Sequence, residues 1–310
     1  MSTLPRLLDQ HLDRLRSLNF SPATLRQNRY ALKRLIHWLE AVAGVTRADM
    51  LRKRHLRRWQ QHLSKHVTTR GRPYRPRSIN KHIEVARGFL QFLVAEGYIQ
   101  AALAEAIVYV REPIVLPGST LTHKQVRKLL DSIPTDTAEG YRNRTMMEML
   151  YSTGIRVGEL LGLDMEKVDF RNRTARVIGK GRKERVVPIG QTAMHFLETY
   201  VKAVRPFLLD HRAESAVFVE SGVGRMPYYT LRRIVHACAV KADIEINVTP
   251  HTFRRSCTTE MLRGGAGMYH VKELLGHESL ETLKHYAKLT ITDLKRTHAK
   301  CHPRERDQQR

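Results

Sequence analysis

The stretch AIVYVREPIVLPGST, residues 106–120, interrupts the helical patterning and limits what the chain can fold into. It contains Pro113, Pro117 and Gly118 and has no helical period, and a residue before proline avoids the helical backbone region. We therefore predict a linker over residues 113–120, between one domain at 1–112 and another at 121–310. A chain of 310 residues is long enough to form two cores.

The first domain is predicted to be helical. SPATLRQNRYALKRLIHWLEAVAG predicts a helix capped by Ser21, with Pro22 at its first position and Gly44 at its end. RADMLRKRHLRRWQQHLSKH predicts a second helix. RSINKHIEVARGFLQFLVAEGYI predicts a third, with Ser78 as its cap and Gly97 near its end.

The charge points to a polyanionic partner. The chain has 54 Lys and Arg against 30 Asp and Glu, which gives a net charge of +24. Nucleic acid best explains such a surplus, because each neutralised phosphate releases counterions; a merely basic protein is the alternative. More than half of the surplus lies in residues 1–117. The candidate DNA contacts are Arg52, Lys53, Arg54, Arg57, Arg58, Arg75, Arg77, Lys81 and Arg182, although a charge run is often just a solvated helix face.

The second domain is predicted to be mainly α with a small β-sheet. RTARVIG and ERVVPIG read as two strands joined by KGRK, which is a hairpin pattern. AVFVE predicts a further short strand. LTHKQVRKLLDSI and GYRNRTMMEMLYSTG predict helices. Further helices are predicted at residues 191–205, 227–242, 251–264 and 267–276.

Neither membrane insertion nor secretion is indicated. No apolar run approaches the ~18 residues of a membrane span, and MSTLPRLLDQHLDRL reads as an amphipathic helix rather than a signal peptide. Cys238, Cys257 and Cys301 show no C-x-x-C spacing. We expect reduced thiols in a cytoplasmic protein, without a zinc site or disulfides.

Two arginines lie in the first turns of predicted helices. In STGIRVGELLGL, Arg156 and Glu159 lie at i and i+3 of a helix beginning just after Gly154, where free backbone N–H groups favour anions. In TPHTFRRSCTTEML, His251 and Arg254 have the same spacing, which suits a phosphoryl group. Taken singly, the first motif is more often an ordinary ion pair, and the second is more often a cap or a surface pair.

Three further residues could take part in the chemistry. Lys180 lies between glycines in GKGRKER and is either a general acid or part of a basic turn. In LLGHESLETLKHYA, His277 and Tyr286 would point to opposite faces of one unbroken helix. Gly276 ends one helix and Ser279 can cap the next, so both side chains can turn towards one place. Alone, Tyr286 would more often be a core aromatic.

Together these residues supply what phosphodiester cleavage by a side-chain nucleophile needs. A tyrosine can attack phosphorus, cationic groups can stabilise the charge on the phosphate oxygens, and an acid can protonate the leaving oxygen. No carboxylate cluster suited to Mg²⁺ stands out in the sequence, which argues against a two-metal nuclease.

The motifs TGIRVGELLGL, VIGKGRKERVVPI, TPHTFRRS and LLGHESLETLKHYA occur in this order, and the chain resembles the tyrosine site-specific recombinases, including Xer-type recombinases and many integrases. The resemblance implies a two-domain DNA clamp, with a core-type DNA-binding domain of the SAM-like kind before the catalytic domain. It assigns Tyr286 as nucleophile and Lys180 as general acid. It implies that Arg156, His251, Arg254 and His277 act on the phosphate and that Glu159 supports Arg156.

The resemblance also implies a reaction scheme. The DNA would be cleaved and rejoined through a 3′-phosphotyrosyl link and a Holliday junction, without a cofactor, metal ion or ATP. The partners would be double-stranded DNA at specific core sites and a homo- or hetero-tetramer of like recombinases, in the cytoplasm on the nucleoid. A Xer-like enzyme and a mobile-element integrase or transposase both fit. A type IB topoisomerase-like enzyme and a catalytically silent DNA-binding protein are the alternatives.

Overall fold

The computed structural model describes residues 3–68, 71–113, 120–179, 181, 183–210 and 213–276. The chain divides into two compact units, Met1–Ile114 and Val115–Arg310, which we call unit 1 and unit 2. Each has its own buried apolar core. The predicted linker contains residues 114–119, which lie outside the described ranges, and its limits remain a prediction.

Unit 1 is helical. Its helices are α1 (Leu4–Ser17), α2 (Pro22–Ala43), α3 (Lys53–Lys65), α4 (Pro76–Ala95) and the short α5 (Ala101–Ala104). The first four pack around one core. In α1 the leucines at positions 4, 7, 8 and 12 are all buried, the spacing expected of an amphipathic helix.

The predicted limits of α2 are confirmed. The Ser21 hydroxyl accepts a hydrogen bond from the Thr24 N–H at 3.2 Å, and Gly44 ends the helix with a left-handed φ of 66°. The predicted cap of α4 is wrong, because Pro76 rather than Ser78 begins the first turn, after Arg75. The proline ring fixes φ near the helical value, which makes Pro76 the natural first residue.

Unit 2 is mainly helical around small sheets. Its helices are α6 (His123–Asp131), α7 (Ala138–Thr153), α8 (Val157–Leu161), α9 (Gln191–Thr199), α10 (Arg205–Leu209), α11 (Tyr228–Lys241), α12 (Pro250–Arg263) and α13 (Met268–Leu275). Its strands are β1 (Val168–Asp169), β2 (Thr174–Ile178), β3 (Glu184–Pro188), β4 (Val219–Glu220) and β5 (Gly224–Arg225). The predicted fold class, mainly α with a small β-sheet, is confirmed.

Helix α7 lies at the centre of unit 2. It contacts α6, α8, α9, α10 and α12, and Met146, Met147, Met149 and Leu150 are fully buried. Apolar residues at successive positions cover more than one face, as a helix surrounded by others requires. The residues after the C-terminus of α7 are therefore held by several elements at once.

The predicted hairpin is confirmed. Strands β2 and β3 pair antiparallel, with Ala175 opposite Val187 and Val177 opposite Arg185, and β1 extends the sheet beside β2. Ala175, Val177 and Val187 are buried, so Arg185 lies on the face that packs against the core.

Two predicted elements differ from the structure. The strand predicted over AVFVE is only Val219–Glu220, paired with Gly224–Arg225. The helix predicted over 191–205 becomes π-helical at Tyr200–Val204 before α10, a change that periodicity cannot reveal. No helix in the described ranges combines the length and apolar character needed to cross a membrane.

We expect unit 1 to lose stability in mild acid because of His11. This residue is buried against Phe89 and Phe92, and burial, helped by the charge of Arg14, lowers its pKa from 6.5 to about 4. As pH falls from about 6.5 to about 4, the unfolded chain binds a proton that the folded chain does not. The expected loss is about 3 kcal/mol, complete near pH 4.

Urea unfolding of the full chain tests this expectation by fluorescence, since both tryptophans, Trp38 and Trp59, are buried in unit 1. His11→Leu should flatten the dependence of the unfolding free energy on pH over this window. His37→Gln, an exposed histidine of α2, should leave that dependence unchanged. The same pH dependence in His11→Leu as in wild type would contradict the prediction.

Candidate active site

A tight backbone turn at Gly154 leads from α7 to the first predicted site residue. Gly154 has a left-handed φ of 61°. A Cβ at this position would lie 2.8 Å from Leu275 Cδ2 and 3.3 Å from Cys257 Sγ. The end of α7 therefore lies against α12 and α13 at this point, close to Arg156 in sequence. Only glycine fits there without strain.

Arg156 and Glu159 form a capping pair. Arg156 is the N-cap of α8 and not a residue within its first turn, which corrects the prediction of a helix beginning just after Gly154. The Glu159 Oε2 accepts from the Arg156 backbone N–H at 2.8 Å, and Oε1 accepts from Arg156 Nη1 at 2.8 Å. The carboxylate therefore fixes both the backbone and the guanidinium of Arg156.

Arg254 joins the ends of two other helices. It is buried in α12, Nη1 donates to the Gly154 carbonyl at 2.7 Å, and Nη2 donates to the Leu275 carbonyl at 2.7 Å. Both acceptors belong to helix C-termini, where carbonyls lack a partner within the helix. A guanidinium satisfies such carbonyls well.

The structure adds a third arginine that was not predicted, Arg185 of β3. Its Nη1 and Nη2 donate to the two carboxylate oxygens of Glu159 at 2.9 and 2.8 Å, and its Nε donates to the Leu274 carbonyl at 3.0 Å. The signal was present in the sequence. Arg185 alternates with Val187 in a predicted strand, and a charge on the inner face requires a buried partner.

Three arginines converge on the end of α13. The carbonyl oxygens of residues 274, 275 and 276 accept, in that order, from Arg185, Arg254 and Arg156. The three donors come from β3, α12 and the N-cap of α8. Gly276 ends the helix with a left-handed φ of 62°, which confirms the predicted helix end. The negative end of the helix dipole thus faces three cations.

Glu159 stays ionised at neutral pH although it is buried. Burial raises its pKa, but hydrogen bonds from Arg185 and Arg156 offset this effect, and the net pKa is lowered. A buried carboxylate with two guanidinium partners is a fixed negative charge. It holds two cations that would otherwise repel each other.

His251 lies on the first turn of α12, three residues before Arg254, as predicted. The residue is exposed. Partial burial of the ring and the charges of Arg254, Arg255 and Arg156 lower its pKa. His251 is therefore neutral at neutral pH and can accept a proton.

The structure brings Arg156, Glu159 and Arg254 together and places His251 on the same helix as Arg254. Lys180, Arg182, His277 and Tyr286 lie outside the described residues. Within the described ranges, no group of three or more His, Cys, Asp or Glu could hold a metal ion.

The candidate DNA contacts of unit 1 are all exposed. This group comprises Arg52, Lys53, Arg54, Arg57 and Arg58 around the start of α3, and Arg75, Arg77 and Lys81 at the start of α4. The three residues at the start of α4 line a groove of about 730 Å³, together with Tyr109 and Glu112. Lys81 also pairs with Glu84 at 2.9 Å. Three basic side chains at the start of α4 thus line one accessible groove.

Comparison with known proteins identifies the class. The profile of the phage integrase family matches residues 119–292, and that of the phage integrase N-terminal SAM-like domain matches residues 8–97. The tyrosine recombinase XerD of Staphylococcus epidermidis is 35% identical over 231 residues, which are 74% of this chain and 77% of that protein. The chain belongs to the phage integrase family of tyrosine recombinases, which are DNA strand-transfer enzymes.

Solved structures share the fold. XerH recombinase bound to its difH substrate has a TM-score of 0.67 at 18% identity, covering 91% of this chain and 80% of that chain. A lambda integrase tetramer bound to a Holliday junction has a TM-score of 0.71 at 15% identity, covering 94% of this chain and 80% of that chain. The two-domain recombinase fold expected from the resemblance is therefore confirmed.

We expect Glu159→Gln to destabilise unit 2. The substitution leaves the partly buried guanidinium groups of Arg156 and Arg185 without their anion, and breaking a buried ion pair costs up to about 3–5 kcal/mol. Since the folded pKa of Glu159 is lowered, its contribution is present above the unfolded pKa of about 4.5 and is lost as pH falls through the folded pKa. The difference in unfolding free energy between variant and wild type should shrink accordingly in acid.

Calorimetry of the full chain at neutral pH and at a series of pH values descending below 4.5 measures this difference. Glu166→Gln, which alters an exposed carboxylate, is the control and should cost little. Equal losses in the two variants would contradict a special role for Glu159.

Proposed function

We propose that this recombinase cleaves DNA with Tyr286 as the nucleophile and rejoins the strand to a new partner. The Tyr286 oxygen attacks the scissile phosphorus and forms a 3′-phosphotyrosyl ester, and the 5′-oxygen leaves as a hydroxyl once it is protonated. The 5′-hydroxyl of another strand then attacks the ester and releases the tyrosine. The ester conserves the energy of the broken bond, so the proposed reaction needs no cofactor, metal ion or ATP.

The observation that carries this proposal is the arginine cluster at the end of α13. Arg156 and Arg254 are bonded to the carbonyls of Gly276 and Leu275, and the next residues in sequence lead through His277 to Tyr286. Two cations from separate elements are thus held at the start of the segment that bears the nucleophile.

The electrostatics suit a phosphate in the transition state. The Arg156 side chain is 33% exposed while Glu159 holds it, so it is oriented before a ligand arrives. Charges that are already oriented act on developing negative charge without reorganisation, which is how electrostatic catalysis works. Arg254 would share the non-bridging oxygens, and Glu159 would keep Arg156 in place.

The remaining groups would move protons. Neutral His251 can accept a proton or donate a hydrogen bond to the phosphate, and we assign His277 a similar role. Lys180 would protonate the leaving 5′-oxygen. The ordinary pKa of tyrosine is about 10, and arginines beside the Tyr286 hydroxyl would favour its ionised form.

The DNA partner follows from charge and from the relatives. The similar XerH structure is bound to its difH substrate, and the lambda integrase tetramer is bound to a Holliday junction. We propose that this chain acts likewise on double-stranded core sites as a tetramer of like recombinases, in the cytoplasm on nucleoid DNA. Residues 1–112 would bind the core site, 113–120 would link the domains, and 121–310 would carry the chemistry.

The nucleophile can be tested with a nicked suicide duplex whose sequence is selected by binding from a randomised library. Wild type should form a covalent protein–DNA adduct that survives denaturation. Tyr286→Phe should form none, because the attacking oxygen is gone. The matched control, Tyr229→Phe, removes a hydroxyl that is exposed in unit 2 and should leave adduct formation unchanged.

Two outcomes would contradict the proposal. An adduct with Tyr286→Phe would exclude this nucleophile. Relaxation of a supercoiled plasmid by wild type, without exchange between two selected sites, would favour the topoisomerase alternative.

The DNA contacts of unit 1 can be tested through salt dependence. Arg77→Ala should weaken DNA binding and reduce the slope of log K against log salt by about one unit, as expected for one lost phosphate contact. Arg16→Ala is the control, because Arg16 already pairs with Asp13. Fluorescence anisotropy with a labelled duplex measures both slopes; equal slopes in the two variants would exclude Arg77 as a contact.

A further inference from the structure

We infer that Arg185 is a positioning residue of the recombinase, which fixes Glu159 and the end of α13 relative to each other. This inference rests on the proposed function. Arg185 would position the end of α13, and the residues that follow α13 in sequence include His277 and Tyr286. Arg185 touches neither DNA nor nucleophile in this role. It acts through Glu159 and through the last turn of α13.

The contacts of Arg185 define one geometry. Its two terminal nitrogens meet the two oxygens of Glu159, and Nε meets the Leu274 carbonyl. The planar guanidinium presents these donors in a fixed fork, so the carboxylate and the carbonyl cannot shift independently. A lysine would keep the charge and lose the fork.

Arg185 is less accessible than the arginine that would bind phosphate. Its side chain is 15% exposed, against 33% for Arg156. Three of its five donor positions are already directed at protein acceptors. Arg185 is therefore suited to hold other groups rather than to receive the substrate.

The backbone at the end of α13 is fitted to this side chain. A Cβ at Gly276 would lie 3.0 Å from Arg185 Nη1 and 3.1 Å from its Cζ and Nε. The left-handed φ of Gly276 already disfavours other residues. The guanidinium thus contacts the turn itself, at the last residue before His277.

The contacts of Arg185 also depend on a carboxylate that it shares with Arg156. Glu159 accepts from both Arg156 and Arg185, and Arg156 bonds the Gly276 carbonyl while Arg185 bonds that of Leu274. Loss of Arg185 would leave one guanidinium to orient a buried carboxylate. Both Arg156 and the end of α13 would then gain freedom of position.

Arg185→Lys tests this role, with Arg176→Lys as the matched control, since Arg176 lies exposed on the neighbouring strand β2. DNA affinity should stay within about threefold of wild type, and the rate of adduct formation should fall about 100-fold, the size expected for a misplaced reacting group. Amide hydrogen exchange of the peptide covering 268–276 should speed up in Arg185→Lys alone.

A suicide substrate with a neutral methylphosphonate at the scissile position separates positioning from phosphate contact. It should partly rescue Arg156→Ala, because a neutral group needs less cationic stabilisation, while the defect of Arg185→Lys should persist. Equal rescue of both variants would mean that Arg185 contacts the phosphate and would overturn the inference. So would a normal adduct rate, or unchanged exchange at 268–276.

The arms of the experiment also separate this inference from the proposed function. If wild type forms no adduct, the proposed function fails and the positioning role of Arg185 fails with it. If wild type, Arg176→Lys and Arg185→Lys all form the adduct at the same rate, the proposed function stands and only the role of Arg185 fails.

Discussion

The site depends on one buried carboxylate. Glu159 is 6% exposed and is held by Arg156 at the N-cap of its own short helix and by Arg185 from the hairpin. A buried anion is unfavourable unless it is paired, and two nearby guanidinium groups repel unless an anion lies between them. Each charge therefore requires the others. The arrangement fixes the relative positions of α8 and β3.

The rest of unit 2 supplies the frame for this group of charges. Helix α7 is surrounded by other helices and ends at Gly154, whose carbonyl accepts from Arg254. Helix α13 ends at Gly276 in the same left-handed conformation. Two glycine-terminated helices thus present unpaired carbonyls to the arginines. The geometry of the site is built from helix ends rather than from loops.

Local sequence signals predicted the helix ends and the hairpin of this frame. They could not predict the contacts between residues that are distant in sequence. Residue preferences at helix ends identified Ser21, Gly44 and Gly276. The alternation of apolar and polar residues identified the β2–β3 hairpin. Both signals act over a few residues, so the sequence alone reveals them. The spacing of Arg156 and Glu159 indicated their pairing, yet Arg156 proved to be a cap. Arg185 was missed because its partners, Glu159 and Leu274, are distant in sequence and only the folded sheet brings them near. The family resemblance assigned the chemical roles, but it did not identify this residue.

The wide sequence separation of these contacts has a consequence for synthesis. The acceptors at residues 274–276 lie 21 to 120 residues after their arginine donors, so the cluster cannot form until α13 has been synthesised. Contacts this distant form late, after the local helices and hairpin. A nascent chain that ends before α13 has its arginines but not the carbonyls that gather them. The arginine cluster therefore assembles only after α13 has been synthesised, and later than the helices and the hairpin that carry its donors.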